Sequence, residues 1–274
     1  MSDNHHNHAD DFLMAFQDSC DKPALLLIHG FPLSSSLWNL QIDDLANFVR
    51  VIAPDLRGHG NADNVAGPYS MEILADDCAD LMGYLNVASP FVVCGLSMGG
   101  YVAFEFYRRY REHIAGMILT ATRAAADSDE GKANRDKMAE VAQRRGGKAI
   151  ASAMLPKMFA PTAYENDPEL VDYVRDMMEG TSVEGIVGAL AAMKNRPDST
   201  LTLAEIDVPV LVIHGEDDQL IPLGEAKEMA EALPNGRLVT IPNAGHLPNL
   251  EQSDAFNDAV IDFLESLALD DMVF

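Results

Sequence analysis

Ser97 lies in Gly95-Leu96-Ser97-Met98-Gly99, a G-x-S-x-G, directly after the apolar run Pro90-Phe91-Val92-Val93-Cys94. The residues that follow, Gly100-Tyr101-Val102-Ala103-Phe104-Glu105-Phe106, read as the opening of a helix. A serine between small residues on a sharp strand-to-helix turn is held in strained backbone geometry, with its hydroxyl exposed above a sheet. The pattern alone arises often by chance; strand, turn and helix around it make it a signal for a nucleophile. A serine hydroxyl is weakly nucleophilic at neutral pH, so it needs a base and a group that orients the base.

The C-terminal third supplies both, in the order acid then histidine that accompanies this motif. Val208-Pro209-Val210-Leu211-Val212-Ile213-His214-Gly215 reads as a buried strand ending in a turn, and Glu216, Asp217 and Asp218 follow it. A helical stretch over about 224–233 and a strand over 237–241 lead to the loop Pro242-Asn243-Ala244-Gly245-His246. An acid and a histidine thus stand at the ends of neighbouring parallel strands, the edge where open α/β sheets carry their sites. His246 would take the Ser97 proton, and one of the acids would hold the imidazole tautomer and stabilise the imidazolium.

The elements that must position these residues form two patterns. Before residue 122 and after residue 200, apolar strands alternate with amphipathic helices, the signature of a parallel sheet. Between them helical stretches are expected at about 128–145, 147–154, 167–179 and 182–194, with Thr181-x-x-Glu184 as a capping box for the last. Charge changes with pattern: residues 123–196 hold 11 of the 19 Lys and Arg and 12 of the 43 acids, while the chain as a whole carries −24. The expected organisation is a disordered tail over 1–11, an α/β core over 12–121 and 201–274, and a helical insertion over 122–200.

Five blocks together, in order and spacing, resemble the α/β-hydrolase-fold serine hydrolases: His29-Gly30-Phe31-Pro32, Asp55-Leu56-Arg57-Gly58-His59-Gly60, Gly95 to Gly100, Gly215 to Pro222, and Gly245-His246. The pattern looks closest to small-molecule carboxylesterases and 3-oxoadipate enol-lactonase-like proteins, from about residue 22 onward. The resemblance implies an α/β fold with a mostly parallel sheet of about seven or eight strands flanked by helices and a helical cap over the serine; such folds usually begin with two strands before the His-Gly loop, and the short stretch available here departs from that, so the first strand is expected to be missing or very short. It also selects Asp218 as the acid, four residues before the proline of its loop. Phe31 and Met98 would donate their backbone N–H groups to an oxyanion, Met98 as the residue after the nucleophile and Phe31 from the loop after an earlier strand.

That set implies hydrolysis of a small carboxylic ester through an acyl-enzyme. Relatives that form alkyl-enzyme esters, haloalkane dehalogenases and epoxide hydrolases, carry aspartate at the position of Ser97. A single glycine before Phe31 fits esters of less crowded alcohols. Lactonase or enol-lactonase action, cofactor-free perhydrolysis or haloperoxidation, and cyanohydrin cleavage use similar residues. A ligand receptor on the same fold is the rival from a different class.

The remaining chemistry-bearing residues have plainer readings. His29 and His214 end strands as structural residues, and His59 shapes its loop. His5, His6 and His8 sit in the polar tail and could hold a metal only adventitiously. No HExxH-type metal spacing and no GxGxxG after a strand is present, so neither metal nor dinucleotide cofactor is implied. Cys20, Cys78 and Cys94 lack metal or redox spacing, and Cys94 reads as a buried apolar residue. Met138, Met154, Met158, Met177, Met178 and Met193 fall in the insertion, as core filler or as an adaptable pocket wall. Phe31 and Trp38 could line the pocket, Trp38 equally anchoring the helix after it. Arg123 could meet a substrate carboxylate or form a structural ion pair. The acidic balance disfavours nucleic acid, anionic membranes and acidic carrier proteins. No run of apolar residues is long enough to span a bilayer, and the cytoplasm is the expected location. The expected partner is a small-molecule ester or lactone; oligomeric state is not readable.

Overall fold

The computed structural model describes residues 2–7, 12–19 and 23–267. Eight strands form one sheet: β1 (Ser2–Asn7), β2 (Phe12–Asp18), β3 (Ala24–Ile28), β4 (Arg50–Pro54), β5 (Phe91–Leu96), β6 (Ile114–Thr120), β7 (Val210–Gly215) and β8 (Gly236–Ile241). Their order is β1-β2-β4-β3-β5-β6-β7-β8. β2 is antiparallel to both β1 and β4, and every pair from β4 to β8 is parallel. The mostly parallel α/β sheet expected from the pattern is therefore present.

The N-terminus corrects an expectation. Residues 2–7 are not a disordered tail; they pair with β2 in register from Ser2↔Gln17 to Asn7↔Phe12. A ladder of backbone hydrogen bonds needs no apolar side chains, so a polar segment can cover a sheet edge without any periodic signal. Residues 1 and 8–11, His8 among them, lie outside the described residues, as does Cys20.

The central strands are buried on both faces, and alternation sorts their side chains into two cores. Leu26, Ile28, Val93, Met117, Leu119, Val210 and Val212 belong to one. Leu25, Leu27, Val92, Cys94, Ile118, Leu211 and Ile213 belong to the other. Helices α1 (Asn39–Leu45), α2 (Met71–Tyr84) and α3 (Met98–Tyr110) precede β6. The chain between β6 and β7 carries α4 (Asp129–Arg145), α5 (Gly147–Met154), α6 (Ala163–Asn166), α7 (Pro168–Gly180) and α8 (Val183–Asn195), with no strand among them. Helices α9 (Leu223–Ala232), α10 (Pro248–Glu251) and α11 (Ser253–Ser266) follow β7 among the described residues.

Local signals set the helix starts. Ser128 caps α4 by accepting from Gly131 N–H, and Asp167 caps α7 by accepting from Leu170 N–H ahead of Pro168. The capping box expected at Thr181 is displaced by one residue: Ser182 accepts from Gly185 N–H at 2.9 Å. Thr181 instead donates its hydroxyl to the Pro32 carbonyl at 2.8 Å, tying the start of α8 to the loop after β3. Among the described residues no helix is long and apolar enough to cross a membrane.

Candidate active site

Every expected site residue lies at the C-terminal edge of the parallel strands. β3 ends in the His29–Pro32 loop, β5 in Ser97, β7 in the loop of Asp218, and β8 in the loop of His246. Ser97 has φ 54° and ψ −111°, a left-handed conformation between β5 and α3. Such geometry costs roughly 1–3 kcal/mol and persists only where the surroundings enforce it. Here Ser97 N–H donates to the Thr120 carbonyl at 2.9 Å, and the Ser97 carbonyl accepts from Thr122 Oγ1 at 2.8 Å. The tightness of the turn explains its glycines. A Cβ on Gly95 would stand 2.2 Å from the Gly99 carbonyl oxygen, and one on Gly99 would stand 2.1 Å from that of Ile28.

His246 and Asp218 are in contact. His246 Nδ1 lies 2.8 Å from Asp218 Oδ2, so Nδ1–H donates to the carboxylate and Nε2 is left as the basic nitrogen. Asp218 Oδ1 accepts from the N–H groups of Leu220 at 2.8 Å and Ile221 at 3.0 Å. Burial pushes the Asp218 carboxyl up, but His246, the Ile221 N–H and His214 outweigh it and hold the carboxyl below its usual range. Asp217 and Glu216 are exposed. Ser97, His246 and Phe31 line one cavity of about 160 Å³. No hydrogen bond joins Ser97 Oγ to His246 among the described residues; such bonds commonly tighten only when substrate is bound.

The Phe31 N–H has no acceptor among the described residues. Met98 opens α3, so its N–H has no intrahelical acceptor. His29 fixes the loop that carries Phe31: Nδ1–H donates to the Gly30 carbonyl at 2.9 Å, and Nε2 accepts from Leu56 N–H at 3.0 Å. Burial pulls His29 down to about 4, which keeps this neutral, bridging tautomer. His59 is likewise a loop residue, with Nδ1 2.8 Å from the Arg57 carbonyl oxygen. Burial pushes the Cys94 thiol up to about 12, an inert apolar neighbour of the turn.

For several side chains the structure separates the two expected roles. Trp38 is fully buried against Phe256, with ring centroids 6.2 Å apart, and does not line the cavity. Of the six methionines in the insertion, Met154 and Met193 reach the cavity, while Met158 and Met178 are buried in a core. Arg123 lines the cavity and also pairs with Glu225, Nε to Oε2 at 3.1 Å.

Two residues near the histidine carry no motif signal. His214 Nε2 bonds the Ile221 carbonyl at 2.9 Å and stands 3.5 Å from Asp218 Oδ2, so the strand end read as structural also touches the acid. Glu251 accepts from the N–H groups of Gly245 at 2.8 Å and Leu247 at 3.3 Å, on either side of His246. Its other oxygen accepts from Ala160 N–H in the insertion. Burial pushes this carboxyl up to about 7 against the pull of those three donors. The backbones meet closely there: His246 N–H donates to the Met158 carbonyl at 3.0 Å. A Cβ on Gly245 would stand 2.4 Å from Ala160 N.

Among the described residues no group of three His, Cys, Asp or Glu could hold a metal ion. What the arrangement can do is move a proton between a serine hydroxyl and an imidazole, beside two N–H groups free to receive a developing oxyanion.

Comparison with known proteins identifies the family of the fold. The sequence pattern described as "Alpha/beta hydrolase family" matches residues 25–259. "3-oxoadipate enol-lactonase 2" of Acinetobacter baylyi is 31% identical over 88% of this chain and 88% of its own length. "Bifunctional esterase/perhydrolase DCH" of Acinetobacter calcoaceticus is 29% identical over 90% of this chain and 93% of its own. The solved structure of a thermophilic esterase from Thermogutta terrifontis, malate bound, is 39% identical, superposes with a TM-score of 0.94, and covers 97% of this chain and 99% of that one.

Proposed function

The chain belongs to the alpha/beta hydrolase family, and from that premise we propose that it hydrolyses carboxylic esters of small molecules through an acyl-enzyme on Ser97. The observation that carries this reading is the Asp218–His246 hydrogen bond, which leaves Nε2 basic on the wall of the cavity that Ser97 also lines.

His246 Nε2 takes the proton of the Ser97 hydroxyl as Oγ bonds to the substrate carbonyl carbon. The carbonyl oxygen becomes an oxyanion, received by the Phe31 and Met98 N–H groups, each donor being worth about 3–4 kcal/mol in such sites. Asp218 stabilises the imidazolium through Oδ2. The carbon–alkoxy bond then breaks, the alcohol leaves with the proton from Nε2, and an ester to Ser97 remains. Water loses a proton to Nε2, adds to that ester, and the acid departs as Ser97 regains its proton. No cofactor enters this sequence.

The segment between β6 and β7 acts in this reading as a cap. Its Met154, Met193, Arg123 and Arg135 wall the cavity, whose about 160 Å³ is smaller than the roughly 300 Å³ at which pockets for drug-sized ligands begin. A small acyl or alcohol group fits that space. The enol-lactonase relative favours a lactone as a second substrate form, opened by the same steps with the alcohol remaining attached. Perhydrolysis, named for the second relative, replaces the second-step water by peroxide.

The test is hydrolysis of p-nitrophenyl esters from acetate to decanoate by the wild type and by Ser97→Ala. Turnover confined to short chains and lost in Ser97→Ala supports the reading. Turnover that survives in Ser97→Ala removes Ser97 from the mechanism, and inactivity on every ester turns weight toward a receptor.

A further inference from the structure

We propose that His214 is a positioning residue for the acid: it holds the Ile221 carbonyl, closes the 218–221 loop around the Asp218 carboxylate, and so reserves that carboxylate for His246. The proposal rests on the reading of Asp218 and His246 as the acid–base pair behind Ser97.

Two imidazoles converge on one carboxylate oxygen. His246 Nδ1 lies 2.8 Å from Asp218 Oδ2, and His214 Nε2 lies 3.5 Å from the same atom. His246 reaches the cavity wall, whereas His214, at the end of β7, is wholly buried. A carboxylate that stabilises a proton on one imidazole does less for a second, because the two positive charges repel. Which histidine the acid serves is therefore decided by the surroundings of His214.

Those surroundings hold His214 neutral and in one tautomer. A carbonyl oxygen only accepts, so the 2.9 Å contact with Ile221 places the His214 proton on Nε2. Nδ1 is then an acceptor, buried and without a hydrogen-bond partner among the described residues. Protonating it would create a second N–H with nothing to receive it, which is unfavourable in a buried site. Burial pulls the ring below its usual value against Asp218, the Ile221 carbonyl and, from α9, Glu225; the neighbouring His246 adds to the pull.

The neutral ring acts through the backbone. Ile221 is held twice: its carbonyl accepts from His214 Nε2–H, and its N–H donates to Asp218 Oδ1 at 3.0 Å. Leu220 N–H donates to the same Oδ1 at 2.8 Å. Two backbone donors on Oδ1 fix the carboxylate so that Oδ2 is turned to His246 Nδ1. A leucine at 214 would pack in this core without an unpaired nitrogen, so the donor at Nε2 is what distinguishes histidine here.

The experiment compares wild type with His214→Leu, which removes the donor, and His214→Gln, whose amide nitrogen replaces Nε2–H. Nitrogen-15 NMR of ring-labelled histidines reads the tautomer of each imidazole without any substrate. In wild type His214 is expected to stay neutral with its proton on Nε2 from about pH 8 to about pH 6, and His246 to carry its proton on Nδ1 at the upper end. His214→Leu should shift His246 toward the Nε2–H form that free imidazoles prefer, which is the wrong tautomer for a base, and His214→Gln should restore it. A wild-type His214 that is protonated by pH 6, or carries its proton on Nδ1, overturns the proposal with no variant needed. An unchanged His246 tautomer in His214→Leu, or an equal shift in both variants, also overturns it. With an ester substrate, kcat should fall about tenfold in His214→Leu with KM within about twofold, and return to within about threefold of wild type in His214→Gln; equal losses in both count against the proposal. Absence of ester turnover in wild type would sink the proposed function alone, and the NMR outcomes would still decide the role of His214.

Discussion

The Ala160 N–H donates to Glu251 Oε2 at 2.7 Å across 91 residues of chain, joining the helical insertion to the loop of His246. The other oxygen of Glu251 holds that loop from inside, at Gly245 and Leu247. One partly buried side chain thus fixes the backbone on both sides of His246 and ties it to the insertion.

Glu251→Gln tests that clamp. A glutamine has one acceptor oxygen and would aim its NH2 at an N–H that now has an acceptor. Leaving one such donor unmade costs about 1–3 kcal/mol. The expected outcome is a lowered urea midpoint together with a fall of about tenfold in kcat. Wild-type values for both would mean that the backbone alone sets the loop.

The identity of the acid is tested by two neighbours. Asp218 has a wholly buried carboxylate on His246 Nδ1, whereas Asp217 is exposed. Asp218→Asn is expected to lower kcat by about 10³-fold or more, through loss of the correct tautomer. Asp217→Asn should remain within about twofold. Near-wild-type turnover in Asp218→Asn would reverse the assignment.

The strained turn gives a stability prediction opposed to activity. Ser97 has φ 54°, a region glycine enters freely. Ser97→Gly should raise stability by about 1 kcal/mol while abolishing acyl transfer, and Ser97→Ala should abolish transfer without that gain. The check is thermal unfolding of all three proteins; a Ser97→Gly midpoint below that of Ser97→Ala would show that the turn stores no strain.

Acid should destabilise the fold already between pH 7 and pH 5. The rings of His29 and His59 lie 5.1 Å apart, both buried. Burial pulls His29 down to about 4, and burial together with the neighbouring His29 pulls His59 down to about 3. Unfolded, each would bind a proton near pH 6.5, so their stabilising effect is full above that pH and is lost as pH falls toward 4 and 3. The slope is up to about 1.4 kcal/mol per pH unit for each. Glu251, raised to about 7, has the opposite sign: its contribution is largest below about pH 4.5 and is lost as pH rises through 7. Burial lowers His214 as well, in the same direction, so three histidines against one carboxyl leave a net loss in acid. Urea midpoints at pH 7 and pH 5 read it, and an equal or higher midpoint at pH 5 would contradict neutral burial of the pair.

What the sequence disclosed follows from how each feature is encoded. The strands at 91–96 and 210–215 announce themselves as short apolar runs because both of their faces are buried, and the helix at 129–145 by its Ser128 cap and acidic first turn. Ser97, Asp218 and His246 are legible because the chemistry proposed for them resides in their side chains and their spacing follows strand ends. Glu251 was not: it acts on backbone N–H groups of Gly245, Leu247 and Ala160, which leave no residue-type signature. Pairing of residues 2–7 with β2 was invisible for the same reason. Thr181 and Ser182 are both fit to cap a helix, and only the nearby Pro32 carbonyl decides which one does.

The insertion is anchored at two loops that carry proposed site residues rather than to the sheet. Thr181 holds the carbonyl of Pro32 in the loop of Phe31, and Met158 with Ala160 holds the loop of His246. It is therefore not an exchangeable cassette. A chimera that borrows another protein's helices to change substrate range must keep the native 158–160 and 181–182 seams, or it will alter turnover on every substrate at once.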